Sequence, residues 1–585
     1  MAAPLKLRLI ARHLRPQRRQ LLQGAAALLV VNLLGTSLPL LVQHTINSLN
    51  PGFSLPQLLQ QALWLALLAT LMAGMRLWSR VLVFGAGRQV EVLLRQRIFD
   101  HLLRQEPGWV QTAGSGEVIS RSTSDVENVR RLLGFAVLSL TNTALAYALT
   151  LPAMLAIDPL LSLAAIVLYP LMLLVVGASG GRMMAQQRQQ QKDLASLSDL
   201  IQEDLSGISA IKIYGQEPTE ENAFAALSRR YRDAALGLAR TRSTLFPLLE
   251  GISSLSLLVL LALGSGQLER GSLTLGGLIA LILYVERLVF PTALLGFTLS
   301  SFQTGQVSLE RVEELLARRP GIEDPLQPEP LQTRKPSGAL EARGLCVRYE
   351  GSERLALDGV SFAIKPGELV AVVGPVGCGK TTLVRAIGRM VDVPAGQLWL
   401  NGCDITQVDL NALRQQVALV PQEGFLFTAT LADNLRYGDP EADQAAVERA
   451  AVQARLEADI RGFPDGYRTL VGERGITLSG GQRQRTALGR ALLVQAPLLV
   501  LDDALASVDN NTAAAILAAV RQQRQRTILM VSHQLSAAAA CDRILVLDGG
   551  RLVQEGHHTS LVEQNGTYRR LWEREQAEQQ LSRAA

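Results

Sequence analysis

Three long stretches of the chain are almost empty of charge: Gln20 to Met75 has none, Leu132 to Gly181 only Asp158 beside Pro159, and Gly251 to Val285 only Glu269 and Arg270 before Gly271. Each reads as a hairpin of two apolar blocks of about 20 residues, the length that carries a helix across a hydrocarbon core of about 30 Å. Helix is required there because hydrocarbon offers no partner to open backbone groups. The pattern predicts six spans, near 21–43, 62–84, 133–156, 159–178, 246–266 and 273–293. Two intervening segments, roughly 85–132 and 179–245, are too polar for lipid and too regular for loops. Arg88, Glu91, Arg95 and Arg104 recur among apolar residues at near-helical spacing, and Met183 to Ala195 is rich in helix formers. Helices that continue out of the membrane, joined pairwise by a short turn, are expected there.

Charge then orients the spans. The turns after spans one and three carry no basic residue and that after span five only Arg270, whereas the segments before span one, between two and three, and between four and five are rich in arginine. The positive-inside rule places both termini and the two long segments in the cytoplasm. Arg76, Arg80 and Arg182 fall toward cytoplasmic ends of spans, where they can snorkel, although Arg76 could also line a substrate path. No acidic residue precedes Glu91, and Lys6, Arg8, Arg12, Arg15, Arg18 and Arg19 crowd the first twenty positions, so residues 1–20 form a basic cytoplasmic N-terminus. Such a tail can bind nucleic acid, but the spans that follow make it a membrane protein's cytoplasmic end, and no nucleic-acid partner is expected. The first apolar block is too long for a cleaved signal peptide. Over all 585 residues, 48% are hydrophobic and 19% charged, below the roughly 25% charged usual in soluble domains, and the net charge is +5.

The texture changes after Ala317. With 21–317 as the transmembrane domain, Pro320, Pro325, Pro328, Pro330 and Pro336 mark a linker over 318–338. Short Val/Ile/Leu strands then alternate with helical patterns over 339–575, which predicts an α/β domain with a largely parallel sheet. The run from Trp572 onward is expected as a polar, solvated helix, with 576–585 as a tail. Cys346, Cys378, Cys403 and Cys541 all fall in this half, at spacings that suit no metal site, and are expected reduced.

This second half carries the chemistry. The string GPVGCGKT, Gly374 to Thr381, follows an apolar strand and opens a helix, and meets every position of a phosphate-binding loop. Gly374, Gly377 and Gly379 let the backbone bend so that amides of the loop, with Pro375, Val376 and Cys378 between them, face a β-phosphate. Lys380 is expected to reach the β and γ oxygens and Thr381 to bind Mg²⁺, with Thr382 beside it. The strand Leu498 to Asp502 delivers Asp502 as the Mg²⁺ carboxylate, and Asp503 follows where it can polarise an attacking water. A third strand, Thr527 to Val531, ends at Ser532 and His533, and His533 is a candidate to touch the γ-phosphate. The assigned architecture is a six-helix α transmembrane domain fused to an α/β P-loop ATPase, with ATP and Mg²⁺ as ligands.

The string LSGGQRQR from Leu478 to Arg485 resembles the signature of ATP-binding cassette (ABC) proteins, with Leu478, Ser479, Gly480, Gly481 and Gln482 as its core. The resemblance implies that Tyr349 stacks on adenine, that Gln422 in VPQ binds Mg²⁺ and senses the membrane domain, and that Ser507 to Asp509 crosses to a partner subunit. It likens Gly472 to Gly475 to an element found in exporters beside the coupling helices. The stretches around Gly116 and Arg121, and around Gly207 and Lys212, resemble the two intracellular segments of exporter half-transporters. In the family, Lys380 and the Ser479 region would serve different nucleotides, the signature of one subunit closing on ATP held by the other. The resemblance therefore implies half a machine: an ATP-driven exporter or flippase of a drug, lipid or peptide, working as a dimer in a bacterial inner membrane.

One position departs from the family pattern. The residue after the Mg²⁺ aspartate is usually Glu, and here it is Asp503. A slow homodimer is one reading; the other is the subunit of a heterodimer whose own site hydrolyses poorly and whose intact signature completes the partner's site. A nucleotide-gated regulator or channel with weak ATPase activity is the alternative function. Among the catalytic candidates, Asp503, His533, Lys380 and Gln422, the first bears on that choice.

Overall fold

The computed structural model describes residues 3–48, 55–331, 338–349, 351–472, 475, 477–506, 508, 510–522 and 526–584. It divides into two compact units, Met1–Leu103 with Gly114–Arg318, and Arg104–Ala113 with Arg319–Ala585.

In the first unit, six helices among the described residues are long and apolar enough to span a membrane: α1 Leu9–Asn47, α2 Leu55–Leu102, α3 Ser115–Ile157, α4 Pro159–Ser206, α5 Glu217–Glu269 and α6 Leu275–Ala317. All exceed the 20 residues a bilayer needs; α5, at 53 residues, is roughly 80 Å long at 1.5 Å per residue. The helices run on through the segments that were too polar for lipid, and the short helix Ile208–Tyr214 forms the turn between α4 and α5.

Local chemistry sets the ends of these helices. Asp158, alone in its apolar stretch, is the N-cap of α4: its backbone is extended, its carboxylate accepts the Leu161 N–H at 2.8 Å, and Pro159 takes the first helical position. Thr274 caps α6 by accepting from Gly277 N at 3.1 Å, and Asn47 at the end of α1 donates to the Thr274 hydroxyl at 3.0 Å. Pro291 ends nothing, since α6 continues through it to Ala317.

Several polar side chains within the spans join helices. Tyr169 donates to Val285 O at 2.7 Å, Ser256 to Ala165 O at 2.6 Å and Ser79 to Gly24 O at 2.8 Å. Arg287, half-buried in α6, donates to the Asn32 carbonyl at 3.0 Å and lies against Gly35. Such bonds are worth about 0.6 kcal/mol each, so close packing carries most of the association. A close seam lies between α3 and α6. Two π-helical turns in α3, Arg121–Asp125 and Leu132–Ala136, flank it; Ser308 donates to Asp125 at 2.6 Å, and Gly305 sits against Leu132 and Asn128 O. Inserted turns of this kind re-aim side chains without ending a helix.

The second unit is built on a six-stranded sheet in the order β10-β9-β3-β8-β7-β6. Its strands are β3 Leu369–Val373, β6 Val417–Val420, β7 Leu498–Asp502, β8 Thr527–Val531, β9 Arg543–Asp548 and β10 Arg551–Gly556. All neighbours pair in parallel except β9 and β10, as the alternation of strands and helices predicts. A second, antiparallel sheet of order β2-β1-β4-β5 was not legible in the sequence: β1 Leu340–Val347, β2 Leu357–Ile364, β4 Leu398–Leu400 and β5 Cys403–Asp404. The period-2 alternation of the central strands feeds two cores. Val370, Val372, Val500 and Leu529 face the antiparallel sheet and the helix α7 Lys380–Ile387. Ala371, Val373, Leu501 and Met530 face the opposite way, onto α8 Gly480–Leu493.

Two segments differ from expectation. The described part of the proline-rich stretch is held down: Asp324 accepts from Leu410 N at 2.8 Å and Glu329 N donates to Gln407 O at 2.8 Å. The run expected as a solvated helix is helical but docked: it belongs to α10 Thr567–Ala584, whose Tyr568 is fully buried and whose Leu571 and Trp572 pack on the second core. The apolar side of an i, i+3, i+4 stripe explains the docking.

Gly305→Leu is expected to destabilise the membrane unit by about 1–3 kcal/mol through overpacking against Leu132. Gly266→Leu in α5, where an added Cβ meets nothing within 4 Å, serves as the neutral control. Thermal midpoints of the detergent-solubilised protein would separate the two, and equal midpoints would disprove the close seam.

Candidate functional site

The site grows from the end of β3, all five residues of which are buried. Gly374 and Gly379 have φ of 153° and 105°, and an added Cβ would meet the Leu547 carbonyl and Cys378 Sγ at the first and the Ala356 carbonyl at the second. Only glycine fits either place. Lys380, 6% exposed at the start of α7, turns its Nζ back over the loop, donating to Gly374 O at 2.7 Å and Pro375 O at 2.9 Å. Its ammonium also lies 3.8 Å from Cys378 Sγ; burial pushes that thiol's pKa up, against the pull of Lys380, so it stays neutral at physiological pH. Tyr349 comes to the same helix, its hydroxyl 3.2 Å from that of Thr382. Val376, at the tip of the loop, is exposed.

Asp502, 3% exposed, stands at the end of β7 beside the Thr381 side chain. Burial pushes its pKa up; the Thr381 hydroxyl pulls it down, Asp503 pushes it up further, and Arg385 and Lys380 oppose that. A buried carboxylate beside a hydroxyl at the head of a phosphate loop is a hard-oxygen pair of the kind Mg²⁺ favours, so these residues fit the ion. The next residue points elsewhere. Asp503 has φ of 51°, its N–H donates to Val531 O at 3.0 Å, and its carboxylate accepts the His533 backbone N–H at 3.4 Å. The His533 side chain is exposed, and it lines a cleft of about 570 Å³ together with Gly374, Pro375 and Val376. Gln422 is exposed, and its carbonyl accepts from Gln484 Nε2 at 3.4 Å; among the described residues its side chain makes no hydrogen bond that would bring it to Thr381 or Asp502.

The signature segment is a separate construction. Ser479 is the N-cap of α8 in a reciprocal box with Gln482: the serine hydroxyl accepts from Gln482 N at 3.2 Å and Gln482 Oε1 accepts from Ser479 N at 2.9 Å. Asp459 braces this turn, accepting from Gln482 Nε2 at 3.0 Å and pairing with Arg485 at 2.9 Å. Leu478 anchors it in a helical cluster with Leu426, Leu456 and Val471, while Ser479 and Gly480 stand exposed. The exposed amides and the dipole of this 14-residue helix favour an anion. Sequence reasoning did not single out Asp459 or Arg385, since neither belongs to a motif. Ser507 and Asp509, expected as the dimer loop, lie outside the described residues, as do Glu473 and Arg474 of the Gly472 to Gly475 element.

Two family models match the chain: the ABC transporter transmembrane region over residues 21–292 and ABC transporter over 357–506. The chain is 32% identical to the multidrug resistance-like ATP-binding protein MdlA of Escherichia coli, over 98% of this chain and 97% of that protein. It is 34% identical to an ATP-dependent lipid A-core flippase of Aromatoleum aromaticum, over 82% of this chain and 79% of that one. A solved bacterial Atm1-family ABC exporter with ATP bound superposes with a TM-score of 0.77 at 26% identity, covering 97% of this chain and 98% of its own.

The raised pKa of Asp502 has a consequence for stability. An acid whose pKa rises on folding destabilises the fold as pH climbs from its ordinary value through the raised one, and the full effect persists above that. Asp502→Asn removes the buried charge but keeps an acceptor for Thr381. At pH 7.5 in chelator it should raise the thermal midpoint by roughly 2–4 °C per kcal/mol gained. A midpoint lowered by as much would show that the buried charge is compensated.

Proposed function

The chain belongs to the ABC transporter family as an exporter half-transporter, and from this premise we propose that it is the weakly hydrolysing subunit of a heterodimer. Its work is ATP-driven export or flipping of a hydrophobic or amphipathic substrate (a drug, lipid or peptide). The names of its relatives, a multidrug resistance-like ATP-binding protein and a lipid A-core flippase, support that substrate class. The arginine-rich segments before α1 and between the spans support a cytoplasmic ATPase domain, and the bacterial relatives support the inner membrane.

In this reading Tyr349 receives the adenine, the loop amides from Gly374 to Gly379 receive the β-phosphate, and Lys380 swings from Gly374 O and Pro375 O to the β and γ oxygens. Thr381 and Asp502 would hold Mg²⁺, with Gln422 moving in to complete the set. When bound, the ion supplies neutralisation of charge on the transferring phosphoryl group. His533 approaches the γ-phosphate within the cleft it lines together with Pro375. Ser479, Gly480 and Gly481 offer their exposed helix start to nucleotide on the partner, because their helix packs on the face of the sheet opposite Lys380. Ser507 and Asp509 follow the resemblance as the crossing loop.

The observation that carries the heterodimer is Asp503. Its carboxylate is spent on the His533 backbone N–H, and it is one methylene shorter than glutamate. A general base held back by about 1 Å can lose about a hundredfold in rate. The same observation favours the second reading, a nucleotide-gated regulator or channel, in which weak hydrolysis suffices.

Purified alone in nanodiscs, the chain is expected to hydrolyse MgATP slowly, and Asp503→Glu to raise turnover at least tenfold. Vigorous turnover unchanged by Asp503→Glu would overturn the heterodimer. Proteoliposomes distinguish pump from pore: ATP-dependent substrate accumulation supports export, whereas ATP-gated conductance without accumulation supports the second reading.

A further inference from the structure

The loop that carries His533 has three attachments. Ser532 N donates to Val372 O at 3.2 Å in the sheet, and His533 N donates to Asp503 at 3.4 Å. The third comes from the far end of the chain. The helix α9 Leu535–Ala538 begins two residues after His533, and its N-cap, Gln534, makes no side-chain cap of its own. Glu575 supplies the cap from forty residues away, its carboxylate accepting Leu535 N at 2.6 Å and Ser536 N at 3.2 Å. Charged acceptors on the first amides of a helix are the strongest form of this bond.

The placement of Glu575 is built. It stands at i+7 from Tyr568 on α10, beyond Leu571 at i+3 and Trp572 at i+4, so all four lie on one face. Tyr568 is fully buried; its hydroxyl lies 2.7 Å from His558 Nδ1 and its N–H donates to Gln554 at 2.9 Å, while Trp572 meets His558 edge-on at 4.6 Å. That anchored face fixes where the carboxylate emerges. Arg574 and Glu575 line the same cleft of about 570 Å³ as Pro375 and His533.

We propose that Glu575 is a positioning residue for ATP hydrolysis: through the amides of Leu535 and Ser536 it holds the His533 loop against the phosphate loop, making the C-terminal helix a working part of the ATPase. Glu575 touches no substrate in this role. Without its cap the first turn of α9 loosens, and His533 samples positions displaced from the γ-phosphate.

The test uses the full chain in nanodiscs, with single-turnover release of labelled phosphate so that a slow site remains measurable. Glu575→Ala should lower kcat roughly tenfold with KM for MgATP unchanged, since the displaced group acts after binding. Glu575→Gln, which keeps one acceptor oxygen, should fall between. In a His533→Ala background, Glu575→Ala should cost nothing further, because both changes remove the same contribution. Hydrogen exchange over residues 531–541 should lose protection in the alanine variant while the thermal midpoint moves little. A wild-type kcat in Glu575→Ala, or an equal loss with and without His533, would overturn the assignment. If the heterodimer reading fails instead, the parent rate is high but these ratios stand.

Discussion

A β-strand shows alternate residues to opposite faces of its sheet, and this constraint organises the ATPase half. Val370 and Val372 lie over one core and Ala371 and Val373 over the other, so the helix headed by Lys380 and the helix headed by Ser479 are committed to opposite sides. Each helix brings its own anion-binding start to a different surface. That arrangement is in keeping with a family that works as membrane dimers. In the proposed dimer ATP gains contacts with two proteins at once, and binding to a closed pair stabilises it by mass action; loss of the terminal phosphoryl group would withdraw those contacts.

In the membrane half the constraint is that lipid satisfies nothing polar, and the sequence carried that message clearly. Charge-free stretches gave six spans, and the intervening arginine-rich segments emerged as helices continuing from α2 and α4. Asp158 is instructive: the isolated acid beside proline in an apolar stretch is the cap of α4, bonded to Leu161 N. The α3–α6 seam was not legible. Gly305 is small for a reason that only its neighbour Leu132 reveals, and neither π turn has a sequence mark.

In the ATPase half, whatever depends on a local run of residues could be read in advance. The phosphate loop, the carboxylate at the end of β7 and the capping serine of α8 are each a motif within one turn or strand. What escaped was tertiary. The antiparallel sheet is made of strands too short and too far apart in sequence to announce their pairing. The last helix reads as polar because only one of its faces is apolar, and Tyr568, Leu571 and Trp572 bury it. Asp459 and Arg385 act on motif residues from outside any motif.

Asp503 joins these themes. Two acids in succession at the buried end of β7 would repel one another if the strand simply continued, since the alternation of the strand cannot direct both to solvated ground. The chain solves this with a left-handed residue at φ of 51°, which turns the second carboxylate toward the His533 amide. Among residues with a side chain, Asp and Asn tolerate that conformation best. Aspartate therefore suits the backbone at this position. A glutamate there would gain reach at the expense of conformational ease, so in the proposed heterodimer the residue that slows hydrolysis is also the one that relaxes the turn. The same carboxylate tethers the loop that Glu575 caps from its other end, and the two acids bracket His533 by backbone amides on either side of it.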